Sequence, residues 1–181
     1  GTHSSFNTSS NLYSIEFPYK VHDIFNTYHD AVLLVDKGIK TVSSTVGHNL
    51  MNNHPFADKR FQIAQDNIDK LSAILKNGDT NEFVKLVEDE ALMLHGLMMT
   101  SDPSYILIKS KTLQIIDSIR EFRSKNNIPV CFTLDAGANV HVLFPDRYSD
   151  RVYDFIERNL KIHCENNSYI RDCVGFGAKQ L

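Results

Sequence analysis

Apolar positions recur along the chain with two different periods, and the alternation between them predicts where strands give way to helices. Leu12 to Phe17 alternates, with Tyr13, Ile15 and Phe17 on one side, which predicts a half-buried strand ended by Pro18. Asp30 to Asp36 encloses a continuous apolar run between two acids, long enough for a central strand and too short for a helix, and Lys37-Gly38 ends it. The period then changes. Phe61, Ala64, Ile68, Leu71 and Leu75 are spaced three and four apart, predicting a helix stopped by Asn77-Gly78. Asp79 with Glu82 makes a capping-box-like start for a second helix, whose stripe runs Phe83, Val87, Ala91, Leu94 and Met98 and which ends at Asp102-Pro103. A third shows Ile115, Ile116, Ile119 and Phe122 before Asn126-Asn127. Ser149 is placed to cap a fourth, with Val152, Phe155, Ile156 and Leu160 inward; Asp150 near its start and Lys161 near its end suit the helix dipole. Tyr169 to Val174 is a candidate last strand.

The densest signal lies between the third and fourth helices. Val130 to Leu134 and Val140 to Phe144 are apolar and rich in β-branched and aromatic residues, separated by the small, polar Asp135-Ala-Gly-Ala-Asn139. That is the pattern of two paired strands joined by a tight loop carrying one carboxylate. Gly137 is free to take positive φ and leaves room for another group to approach the backbone. On spacing alone Asp135 reads either as a turn residue bonding its own backbone or as a carboxylate presented outward by two strands.

The element order is therefore roughly β-β-α-α-α-β-β-α-β. Local hairpins with helices on one face predict an α+β, ferredoxin-like two-layer sandwich with an antiparallel sheet. At 181 residues the chain is long enough for one domain with a substantial core. A net charge of −3 leaves no nucleic-acid footprint. Cys131, Cys164 and Cys173 are odd in number and lack C-x-x-C spacing, which fits a reduced, cytoplasmic protein. No apolar run approaches bilayer length, and the first residues show no basic-then-apolar signal, so no membrane association is expected. Gly1 to Asn11 is rich in Ser, Thr and Asn and reads as an exposed flexible loop within a longer polypeptide.

A second stretch bears on chemistry. Val42-Ser-Ser-Thr-Val-Gly47 offers the hydroxyls of Ser44 and Thr45 and an accessible backbone, groups that bind phosphate oxygens but also make plain caps and turns. His95 sits among Leu94, Leu97 and Met98 and reads as a packed core histidine rather than a ligand. His48 and His54 lack a nearby Cys or acid, so no metal site is expected. Gly175-Phe-Gly-Ala-Lys179 lacks phosphate-loop spacing, and no G-x-S-x-G elbow appears.

Thr133-Leu-Asp-Ala-Gly-Ala-Asn139 resembles the T-x-D-A-G-P-N signature of mevalonate diphosphate decarboxylases, with Ala138 where that family has Pro. Proline stiffens a loop by fixing φ, so the departure removes no reactive group. Val42 to Gly47 is similar to the family's V-S-S-x-x-G, with Thr45 at a position often Arg; His95-Gly96 stands near its His-Ala pair. The resemblance runs from about Leu12 to the C-terminus and implies the C-terminal domain, residues 1–181, of a decarboxylase in the GHMP kinase superfamily. It implies ATP-dependent decarboxylation of mevalonate 5-diphosphate to isopentenyl diphosphate, with ATP and Mg²⁺ held mostly by an N-terminal nucleotide-binding domain absent from this chain. It further implies Asp135 as the catalytic carboxylate, substrate contacts from Ser44, Thr45, Ala136 and Gly137, and a homodimeric parent. A related decarboxylase or 3-kinase acting on mevalonate or its monophosphate shares the scaffold. A GHMP small-molecule kinase would carry a Gly-rich loop in place of the Asp loop, and a non-catalytic binding or dimerisation domain would need neither loop.

Overall fold

The computed structural model describes residues 6, 10, 12, 15, 17–38 and 54–175. Its elements are β1 (Tyr28–Leu33), α1 (Ala57–Asn77), α2 (Thr80–Met99), α3 (Ser110–Asn126), β2 (Cys131–Leu134), β3 (Val140–Pro145), α4 (Ser149–Phe155) and β4 (Tyr169–Cys173). The four strands form one antiparallel sheet in the order β2-β3-β1-β4. This is the α+β arrangement of antiparallel sheet and packed helices that the element order predicts. No described helix is long and apolar enough to cross a membrane.

Local chemistry fixes most boundaries. α1 stops where Gly78 adopts φ 77° and returns its N–H to the Ile74 carbonyl at 2.9 Å. An added Cβ there would meet the His22 ring at 2.7 Å, so this close approach also requires glycine. The Asp79 carboxylate accepts from the backbone N–H groups of Asn81 and Glu82 at 3.1 Å and starts α2. Asn127 ends α3 in the left-handed region, with φ 51°.

Register decides the faces of the sheet. Ala31 pairs with Val142 and Leu33 with Val140, while Phe132 on β2 also opposes Val142. These side chains, with Phe144, pack with Ile115, Ile116 and Ile119 of α3 and with Val152, Phe155, Ile156 and Leu160 in and after α4 to make the main core. A smaller cluster joins Phe25, Tyr28 and Ile74 to Phe83, Leu86 and Leu143.

Four expectations change. Leu12, Ile15 and Phe17 are not in a strand, and Tyr13 lies outside the described residues. The run expected as a strand over 30–36 instead pairs over Tyr28–Leu33. Leu34 N–H reaches the Ser168 carbonyl at 3.3 Å and Val35 N–H turns back to the Leu33 carbonyl at 3.0 Å, so the backbone leaves the ladder. On α1, Phe61 and Ile68 of the expected inner stripe are exposed; the helix buries Ala57, Asn67, Ser72 and Ile74. It is tied to α2 through Glu90, which receives Arg60 Nη2 at 2.5 Å and Asn67 Nδ2 at 2.6 Å. Ser149 opens α4 as its first residue and provides no side-chain cap.

Candidate active site at the β2–β3 loop

β2 and β3 pair from Cys131 with Leu143 to Leu134 with Val140, leaving residues 135–139 as the connecting loop. Leu134 and Val140 are buried, so their core packing fixes both stems. Between them Asp135 is exposed and Ala138 buried. Gly137 donates its N–H to the Asp135 carbonyl at 2.8 Å and closes a three-residue turn. Among the described residues the glycine with positive φ is Gly78, so Gly137 contributes an absent side chain rather than a left-handed backbone.

The loop is tied to three neighbouring elements. His95, on α2 and 1% exposed, places Nε2 3.0 Å from the Asp135 carbonyl oxygen. Thr112, in the first turn of α3 and fully buried, donates its hydroxyl to the Ala138 carbonyl at 2.7 Å and accepts the Lys109 N–H at 3.1 Å. Asn139 Oδ1 accepts the Asp36 N–H at 3.0 Å, joining the loop to the chain just past β1. Burial lowers the His95 pKa, against a smaller opposing pull from the Asp135 backbone and charge, which favours a neutral ring. A carbonyl only accepts, so the ring proton sits on Nε2.

Beside the loop lies a cavity of about 320 Å³. Ala136 to Asn139 form one wall, Asp36 to Gly38 another, and Ile106, Leu107 and Lys109 complete it. Lys109 bridges to the Asp36 carboxylate, which also accepts the Gly38 N–H at 2.8 Å. That lysine hydrogen bond, supported by Gly38, lowers the Asp36 pKa. The cavity thus combines small backbone-rich walls with two lysines, Lys37 and Lys109, and one carboxylate, and Asp135 stands exposed in the loop that forms its wall.

Of the residues singled out in the sequence, Asp135, Ala136 and Gly137 come together at this loop, and Ala136 and Gly137 line the cavity. Ser44 and Thr45 lie outside the described residues, as does His48. Gly38 stands in the cavity wall. His54 uses both ring nitrogens, bonding Thr100 Oγ1 at 2.9 Å and accepting the Phe56 N–H at 3.1 Å. Among the described residues no group of three His, Cys, Asp or Glu side chains is placed to hold a metal ion.

Sequence reasoning read His95 as packing and passed over Thr112 and Asn139. A signal for His95 was present: the buried stripe of α2 runs Val84, Glu88, Ala91, His95 and Met98, and two polar side chains on such a stripe require partners. Glu88 finds Arg123, with contacts of 2.6 and 3.1 Å, and Arg123 also donates to the Val130 carbonyl at 2.7 Å, just ahead of β2. α2 therefore fastens β2 near both ends. On the sheet itself, His141 Nδ1 lies 2.9 Å from Asp30 Oδ2. The hydrogen bond to Asp30 raises the His141 pKa against burial, with further help from the charges of Asp30 and Asp135. Burial pushes up the thiol pKa values of Cys131 and Cys164, which makes poor nucleophiles of both.

Residues 31–177 match the family model of the mevalonate 5-diphosphate decarboxylase C-terminal domain. The chain is similar to a phosphomevalonate decarboxylase from Haloferax volcanii, 27% identical over 89 residues, which cover 49% of this chain and 28% of that protein. Its fold is similar to mevalonate pyrophosphate decarboxylase from Streptococcus pyogenes, with TM-score 0.77 and 21% identity over 90% of this chain and 49% of the other. A structure of MDDEF in complex with MVAPP, AMPPCP and magnesium gives TM-score 0.73 and 23% identity over 84% of this chain and 46% of that one. The chain thus spans less than half the length of each of these relatives.

Proposed function

The chain belongs to the mevalonate 5-diphosphate decarboxylase C-terminal domain family, and on that premise we propose that it supplies the C-terminal half of an ATP-dependent decarboxylase. The reaction converts mevalonate 5-diphosphate and ATP to isopentenyl diphosphate, ADP, phosphate and CO2. ATP with Mg²⁺ supplies the phosphoryl group that turns the tertiary hydroxyl into a leaving group, and a nucleotide-binding N-terminal domain holds it. Asp135 orients the C3 hydroxyl and takes up its proton as the oxygen–phosphorus bond forms; with that proton passed on to solvent, the carboxylate is again charged and faces the positive charge that develops at C3 as phosphate departs. Ala136 and Gly137 offer small walls for close substrate approach, and Ser44 and Thr45 are assigned to the substrate's phosphate oxygens. Thr45 makes that contact with a neutral hydroxyl, weaker than a bidentate charged one.

The observation that carries this reading is the exposed Asp135, on a loop bonded to α2, to α3 and to the end of β1, beside a cavity walled by Ala136 and Gly137. A second reading, a phosphomevalonate substrate with one phosphate fewer, is favoured by the similarity to the Haloferax protein. Competition between the two phosphorylated mevalonates, read as the ratio of kcat/KM, distinguishes them. The role of Asp135 is tested by Asp135→Asn in the complete two-domain enzyme. Asn keeps the turn's local bonds but is neutral and barely basic, so kcat falls by at least about a hundredfold while KM and melting temperature hold. Turnover within a few-fold of wild type would return Asp135 to a turn-closing role.

A further inference from the structure

We propose that His95 and Thr112 are positioning residues that hold the backbone of the Asp135 loop, and so aim its carboxylate, by hydrogen-bonding two carbonyls of that loop. This rests on the reading of Asp135 as the catalytic carboxylate.

Both side chains are buried polar groups whose donors end on the loop. His95 is 1% exposed and reaches the Asp135 carbonyl at 3.0 Å. Thr112 is fully buried and reaches the Ala138 carbonyl at 2.7 Å. They come from different helices, α2 and α3, and they hold the first and fourth residues of a five-residue loop. Two carbonyls pinned at opposite ends leave the peptide planes between them little freedom to rotate. The Asp135 Cα is then fixed by its own carbonyl on one side and by the end of β2 on the other.

Each donor is used economically. The Asp135 carbonyl has two lone pairs and takes two donors, His95 Nε2–H and Gly137 N–H. The Thr112 hydroxyl has one proton, given to Ala138, and one of its lone pairs receives the Lys109 N–H. That second bond locks the hydroxyl rotor, so its proton points at the loop whether or not a ligand is present. The arrangement also requires a particular form of His95. Its proton must be on Nε2, and burial keeps the ring neutral, leaving Nδ1 unprotonated.

Packing makes the opposite demand. A histidine that only fills space is replaced by Leu without functional loss, whereas Gln, which keeps a donor near the Nε2 position, introduces an extra buried polar atom. Positioning reverses the order. A carboxylate displaced by about 1 Å costs up to roughly a hundredfold in rate. In the complete enzyme, His95→Leu is therefore expected to lower kcat by about ten- to a hundredfold with KM within about threefold. His95→Gln is expected to recover most of that loss, and Thr112→Val to lower kcat in the same direction while Thr112→Ser retains it.

The same variants are read without turnover by the carbonyl ¹³C shift of Asp135 and the ¹⁵N ring shifts of His95. The wild type should show the neutral Nε2–H tautomer, and the Asp135 carbonyl should move upfield in His95→Leu and return in His95→Gln. An Nδ1–H tautomer, an unmoved carbonyl, or a Leu variant as active as wild type would overturn the proposal. The ring and carbonyl shifts do so even if the Leu variant folds poorly, because the tautomer is measured on the unaltered protein. If Asp135→Asn kept full turnover while the carbonyl shift still answered to His95, the catalytic reading would fail and the anchoring would stand.

Discussion

Glu88 is the position where a single substitution should weaken β2 most clearly without touching the Asp135 loop. The residue is 5% exposed, and its carboxylate takes two hydrogen bonds from Arg123, at 2.6 and 3.1 Å, with Arg120 Nε at 3.5 Å. Removing one partner of a buried pair typically costs about 3–5 kcal/mol, because the remaining charge is left uncompensated. Arg123 softens that cost here. Its side chain is 24% exposed and keeps its bond to the Val130 carbonyl, so Glu88→Ala is expected near the lower end, about 3 kcal/mol. With a urea m-value of about 1–3 kcal/mol per molar for small proteins, the midpoint should fall by about 1 M or more. The slope should stay constant, since the folded and unfolded states keep their extent. Equilibrium urea unfolding followed by circular dichroism measures this directly. Arg123→Met and the double variant complete a cycle whose coupling isolates the pair. The exposed pair of Glu121 and Lys125, at 2.5 Å on the outer side of α3, serves as control, and Glu121→Ala should leave the midpoint where it is. A Glu88→Ala midpoint within error of wild type, or zero coupling with Arg123, would refute the reasoning.

Three further outcomes are expected. Gly78→Ala places a Cβ against the His22 ring and a side chain at φ 77°, so thermal unfolding should show a loss of at least about 1 kcal/mol, and an unchanged melting temperature would refute the close approach. His141 should titrate above the ordinary histidine value of about 6.5 and return toward it in Asp30→Asn, read by NMR. Because its folded pKa is raised, the stabilisation is complete below the unfolded value and is lost as pH rises through the folded one, so the stability gap between wild type and Asp30→Asn should shrink with rising pH; a gap that grows would reverse the assignment. Calorimetric titration of this chain alone with ATP and Mg²⁺ should show weak binding or none, and micromolar affinity would reveal a nucleotide site within it.

Local sequence determined the features whose causes are local. Gly78 ends α1, Asp79 starts α2 and Asn127 ends α3 because a left-handed residue or a capping carboxylate acts within one turn of the backbone. The β2–β3 hairpin and the placement of Asp135 at its loop were legible for the same reason, since two apolar strands flank a short polar segment. The resemblance at Thr133 to Asn139 supplied the proposed chemistry, which spacing left open. Tertiary structure decided what depends on partners remote in sequence. α1 carries an apolar stripe, yet Phe61 and Ile68 face outward because Arg60 and Asn67 are drawn to Glu90 on α2. Leu34 and Val35 read as strand but leave the ladder, because Leu34 bonds Ser168 across a distant loop and Val35 turns back on Leu33. His95 looked like filling in an apolar helix face because its partner, the Asp135 carbonyl, lies 40 residues away and is a backbone atom that every residue type supplies. Periodicity records which face of a helix is buried; it carries no record of which acceptor waits there, and only the packing of α2 along β2 brings that acceptor within reach.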